Sequence, residues 1–176
     1  MLVKLFLALA VAVQLAVAFP TYKIPKAMLK FALANSNCIL PEAFVVDKFQ
    51  IWTPAASNNR TDNIFFEYSD NSTSIETKCH FNETSVNVGP VGLAPRYACE
   101  NNIVTFIWQN EALTMIEKAC PNGSMSRSFE ASGLVRPKLD VCGMTPRNTT
   151  IGEGNFCVAN PGRLAARFTS LQPTPE

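Results

Sequence analysis

The sequence predicts an all-β fold, an antiparallel β-barrel or sandwich braced by disulfides. Three observations lead there. Residues 95–121, PRYACENNIVTFIWQNEALTMIEKACP, hold two alternating runs, 103–108 and 113–118, joined by a tight turn at Asn110-Glu111. Six cysteines all lie beyond the first 37 residues of the 176-residue chain. Short apolar runs separated by Gly, Pro, Asn and Ser recur along the same stretch, the pattern of a sandwich or closed barrel.

Folded back on its turn, the central hairpin sets Trp108 against Leu113, Phe106 against Met115 and Val104 against Glu117. One face is then almost wholly apolar. The other carries Ile103, Thr105 and Ile107 against Thr114, Ile116 and Lys118, the mix expected of a half-buried antiparallel pair. A one-residue slip would put the large side chains in water. Asn-Glu is not the favoured Asn-Gly pair, so a four-residue loop in the same register is the alternative.

The chain opens as a secretory signal peptide over residues 1–18. Lys4 supplies the positive region, 5–17 the apolar core, and Ala16-Val17-Ala18 the small-residue cleavage site. The apolar run is shorter than the roughly 20 residues a spanning helix needs. No later stretch is apolar enough to span a bilayer, so a soluble extracellular product is expected. Residues 19–37 differ in composition. Ile24, Ala27, Met28, Phe31 and Ala32 form one face of a short helix, with Lys23, Lys26 and Lys30 elsewhere. A trimmed pro-segment, a mobile arm and a docked helix all fit; the absence of a dibasic site disfavours the first, and a mobile arm is the expectation.

The β domain occupies residues 38–171. Strands are expected at 44–52, 64–68 and 73–81, then the central hairpin, then 126–132, 134–141, 155–159 and 164–171. NVGPVGLAP, just before the hairpin, is a Gly/Pro turn region, and the tail 172–176 is expected to fray.

With 15 Lys and Arg against 14 Asp and Glu, and no basic block, nucleic acid is excluded as a partner. An even cysteine count in an exported chain reads as disulfides. Zinc fits poorly, because no C-x-x-C spacing occurs and His80 is the sole histidine. Of the 15 ways to pair six cysteines, strand neighbourhood favours Cys79–Cys99 and Cys142–Cys157, leaving Cys38–Cys120 as a long-range staple. Loop entropy assigns about 3 kcal/mol to each short loop and about 4.5 to the long one, as upper figures. N-x-S/T sequons at Asn59, Asn71, Asn82, Asn122 and Asn148 all fall in or beside expected turns, where a glycan is tolerated.

No catalytic constellation assembles. A nucleophilic site would have to use His80, beside the oxidised Cys79. Glu67, Glu76, Glu117 and Glu130 sit on expected strands and supply carboxylates for a glycosidase pair, yet exposed strand faces carry such residues routinely. Phosphate-cradling glycine motifs are absent. Trp52, Trp108, Tyr68 and Tyr97 could stack on sugar rings, but large aromatics at strand spacing usually belong to the core. Neither enzyme activity nor a cofactor is expected.

A signal peptide, an early cysteine in CILPEAFVVDKFQIWTP, then Cys79, RYACENN around Cys99 and FCVAN around Cys157 together resemble the small secreted fungal proteins related to the Alternaria major allergen. The resemblance covers residues 38–171. It implies a β-barrel with two intradomain disulfides, which by position are Cys79–Cys99 and Cys142–Cys157. In the allergen the early cysteine links two subunits; here Cys38 has an internal candidate in Cys120, so a monomer or weak homodimer is expected. The resemblance further implies a non-enzymatic extracellular effector or elicitor. Such a protein binds a plant's extracellular defence proteins and modulates immunity or the hypersensitive response. A small aromatic ligand of flavonoid type is a second implied partner. The rival readings are a wall-carbohydrate binder or weak glycosidase, and a carrier of a small aromatic ligand. No binding residue carries over by position.

Overall fold

Strand β1 (Ala43–Pro54) sets the architecture, because it changes phase midway. Phe44 and Val46 point inward from even positions, Phe49 and Ile51 from odd ones, and all four are buried. The extra residue is Lys48, at φ 56°, where the register against the next strand shifts. This β-bulge keeps both halves facing one core.

The computed structural model describes residues 20–123, 125–146 and 150–175. Helix α1 (Lys26–Ala34) precedes β1. After β1 come β2 (Asn63–Asp70), β3 (Ile75–Phe81), β4 (Tyr97–Ala98), β5 (Val104–Gln109) and β6 (Ala112–Ala119). Then follow β7 (Phe129–Val135), β8 (Val141–Thr145), β9 (Gly154–Val158), β10 (Arg163–Arg167) and β11 (Ser170–Pro173). One sheet runs β3-β2-β1-β9-β8, with β10 also on β1; the other runs β11-β7-β6-β5-β4. All pairings are antiparallel.

The two sheets stack as a sandwich. Phe66 meets Phe106 edge-on with ring centroids 5.0 Å apart, and Phe49 meets Trp108 at 5.2 Å. Each contact joins the first sheet to the second, and each buried ring contributes about 2–3 kcal/mol. Phe44 lies so close to Gly133 that a Cβ there would stand 2.7 Å from its ring. The closed-barrel alternative is corrected. Between β3 and residues 97–101 the links include the Cys79–Cys99 disulfide, the Phe81–Tyr97 ring contact at 4.5 Å and a Glu100 N–H donating to Lys78 O at 2.9 Å, but no ladder pairs β3 with β4. With only two residues, β4 is too short to close the gap.

The central hairpin has the expected register: Trp108 opposite Leu113, Phe106 opposite Met115, Val104 opposite Glu117. Its turn is the tight two-residue form. Asn110 and Glu111 have φ 52° and 55°, the left-handed pair of a type I′ turn, and Gln109 pairs with Ala112.

The mobile arm at 19–37 is corrected. Its described part packs on the sandwich: Met28 is wholly buried, Phe31 lies on Gly123, and the buried Tyr22 hydroxyl donates to Pro41 O at 2.5 Å. Met28 is the buried anchor of α1, with Phe31 and Ala32 half-buried beside it while Leu29 and Leu33 stay exposed, and the Cys38–Cys120 disulfide fixes the chain just beyond the helix. The frayed tail is corrected too, since Gln172 and Pro173 pair in β11 and the Thr174 N–H donates to Ser128 O at 2.9 Å. Residues 136–140 are not strand, and the expected strand at 164–171 is two strands split at Phe168. The structure joins the six cysteines as Cys38–Cys120, Cys79–Cys99 and Cys142–Cys157. Among the described residues no helix is long and apolar enough to cross a membrane.

Candidate recognition surface

The four strand glutamates separate into two environments. Glu67 and Glu76 stand on the outer face of the first sheet, where β2 and β3 alternate outward. They line one open depression of about 580 Å³ together with Asp47, Glu100, Lys78 and Arg163. Lys48 Nζ lies 2.9 Å from Glu67, and Arg163 Nη1 lies 3.2 Å from Asp47. A glycosidase needs one desolvated acid opposite an ionised carboxylate. Here the two glutamates share an open wet surface, and a cation flanks Glu67. His80 is at the margin of this face, 3.1 Å from Glu100 and against the Phe65 ring, with its side chain in solvent.

Glu117 and Glu130 are not exposed strand carboxylates, and that expectation is corrected. Glu130 is buried and takes a 2.8 Å hydrogen bond from Arg96 Nη1. Glu117 occupies the inward phase of β6, after Leu113 and Met115, and has no exposed surface. Tyr68, from the opposing sheet, donates its hydroxyl to Glu117 Oε2 at 2.5 Å. Burial pushes the Glu117 carboxyl up to about 7; the Asp70 charge adds to the rise, while the Tyr68 and Thr73 hydroxyls oppose it. Burial and the neighbouring carboxylates likewise raise the Tyr68 and Tyr22 phenols. Asp70, also buried, accepts from Ser72 N–H at 2.7 Å and Ser72 Oγ–H at 2.5 Å. The Glu117 carboxyl therefore sits between the sheets, and neither it nor Asp62, whose carboxyl burial also raises, lines the outer depression. The arrangement staples the two sheets; it presents no acid to a substrate.

The sugar-stacking candidates are buried or half-buried by packing. Trp52 and Tyr68 are buried, Trp108 packs on Phe49, and Tyr97 lies between Phe81 and Phe106. Trp52 covers Gly154, where a Cβ would be 2.5 Å from the indole, and its Nε1–H donates to Thr145 Oγ1 at 2.8 Å.

The surface feature that sequence reasoning missed is the turn region before β4. Val86, Val88, Val91 and Leu93 are all exposed, and Val91 fully so. No charged residue occurs between Glu83 and Arg96. The loop is nevertheless built. Asn87 Oδ1 accepts from Gly89 N–H and Arg96 N–H, both at 2.9 Å, and Val88 N–H donates to Arg96 O at 2.8 Å. Gly92 supplies the left-handed turn, at φ 84°. Through its Glu130 bond Arg96 pins the loop to β7. The available signal was four aliphatic residues among glycines and prolines with no strand period, a context that offers them no core.

Asn59, Asn71 and Asn122 are exposed in loops and turns, and Asn71 stands on the rim of the polar depression. Asn82 is half-buried, its Oδ1 accepting from the Thr84 N–H and hydroxyl. Asn148 lies outside the described residues. Among the described residues no group of three or more His, Cys, Asp or Glu side chains is placed to hold a metal ion. No family model and no curated protein matches the chain.

Proposed function

We propose that the protein works outside the cell by recognition, as an effector or elicitor that binds an extracellular defence protein of a plant host and modulates immunity. The observation carrying this reading is the pinned, uncharged loop at 84–95 with its four exposed aliphatic side chains. Exposed apolar clusters on an ordered scaffold mark protein contacts more often than chemistry. Three disulfides suit an oxidising compartment. The plant host enters only through the resemblance set out above. Burial of Trp52 and Tyr68 weighs against wall-carbohydrate stacking. The open, polar depression weighs against an apolar ligand carrier.

The test is infiltration of purified protein into leaf tissue, scoring defence responses. Val86→Ser, Val91→Ser and Leu93→Ser combined should abolish the response while the melting temperature stays put. Glu67→Gln and Glu76→Gln should leave it intact. A triple variant as active as the parent would remove the loop from the mechanism. Loss with either glutamine variant, fold intact, would put hydrolysis ahead.

A further inference from the structure

Each sheet edge offers unpaired main-chain groups, and most edges here are defended. Along β3 the exposed side chains are Glu76, Lys78 and His80, and Lys78 O is already taken by Glu100. β10 carries Arg163 and Arg167 and runs straight on to Thr169, which donates to Ser132 O on β7. β11 ends in Pro173, which has no N–H, and shares a surface depression with the segment at Lys23–Lys26. β4 has only two residues.

β8 has none of these devices. Its sequence, VCGMT, lacks charge, proline and bulge, and residues 141–144 are exposed. It ends its sheet, held to β9 with the disulfide-bonded Cys142 and Cys157 directly opposite one another. Val141, Met144 and the neighbouring Phe156 are three of the large apolar side chains the fold leaves exposed.

We propose that β8 is the seat of a weak homodimer, in which two copies pair antiparallel through this strand about a two-fold axis at Gly143. In full overlap Gly143 faces its own symmetry mate, Cys142 faces Met144 of the second copy, and Val141 faces Thr145 of the second copy. No like charges meet. The same operation on β3 would set Lys78 against Lys78. Gly143 has open space where a Cβ would stand, and Phe156 lies opposite it on β9. Two adjoining glycines thus leave a slot over which the Phe156 ring of each copy can close, as aromatic residues do beside strand glycines. A five-residue edge is a small interface, so the association is transient and reversible.

Sedimentation equilibrium of the oxidised, unglycosylated protein tests this, over about 10 µM to 1 mM, where contacts of this size associate. The mass should climb toward twice the monomer, with no covalent dimer on a non-reducing gel. Val141→Lys and Met144→Lys, at separate exposed positions, should each raise the dissociation constant at least about tenfold. Lys78→Glu should not change it. Amides of 141–145 should gain exchange protection with concentration. A monomer mass throughout overturns the proposal, and so does a dimer that both lysine variants retain. Neither outcome touches the loop at 84–95, so this inference and the recognition reading fail separately.

Discussion

Two hairpins of similar size, β5–β6 and β8–β9, are held by opposite means. In the first, Val104, Phe106, Leu113, Met115 and Glu117 are all buried under the facing sheet. In the second, β8 contributes no buried residue, and a disulfide clamps the pair at Cys142–Cys157. The first is stable because it is covered, the second because it is cross-linked. Burial fixes side-chain identity at every other position, whereas a cross-link fixes only two residues and frees the others for contact.

The largest test of that contrast is Phe106→Ala, which removes a ring touching Phe66 and Tyr97. It should destabilise the fold by about 3–5 kcal/mol in denaturant titration, while Val141→Ala on the open hairpin should stay within about 0.5 kcal/mol.

The next effect belongs to Glu117. Its carboxyl is held at about 7 in the folded protein against an ordinary 4.5, so the native state binds the extra proton. The associated stability is fully present below about pH 4.5. It is lost as pH rises to about 7, an order of 3 kcal/mol across the window. Unfolding curves between pH 4 and 8 should show that slope, and Glu117→Gln should flatten it. A slope that survives the substitution would assign it elsewhere.

Third comes Cys142→Ser with Cys157→Ser. Hydrogen exchange should accelerate at 141–145 while amides of 104–119 keep their protection, because the clamp acts locally. Equal loosening of both hairpins would mean that the open pair is stabilised through the core after all. The smallest effect is at the tight turn. Glu111→Gly relieves a left-handed φ of 55° and should add about 0.5–1 kcal/mol to thermal stability.

The central hairpin was legible down to its register because its alternation is unbroken on both sides of a short turn. The phase change in β1 was also present in the sequence, as Phe44 and Val46 followed by Phe49 and Ile51, but it reads as noise unless a bulge is assumed. Glu117 shows a different limit. Alternation already placed it opposite Val104, yet its residue type argued for solvent, and only the Tyr68 hydroxyl arriving from the other sheet explains why it is tolerated. A partner 49 residues away leaves no local trace. The docked helix and the exposed loop were illegible for a shared reason. Whether Met28 is covered and Val91 is not depends on what packs alongside, and composition does not carry that.

The bulge at Lys48 gives β1 a property that substitutions would not reveal. Upstream of it the strand pairs with β10, downstream with β9, and along its length with β2. What the strand must conserve is parity. A regular strand alternates with period two, so the odd offset between Val46 and Phe49 is tolerated only because Lys48 is the extra residue of the bulge. Deleting Lys48 would make that offset even, and an unbroken strand would still hold Phe44, Val46, Phe49 and Ile51 on one face. Inserting a residue between Phe49 and Ile51 would instead turn Ile51 outward unless a second bulge absorbed it. A descendant of this chain can therefore lose the bulge residue and keep the sandwich, whereas a one-residue insertion or deletion within either half is equivalent to rewriting that half.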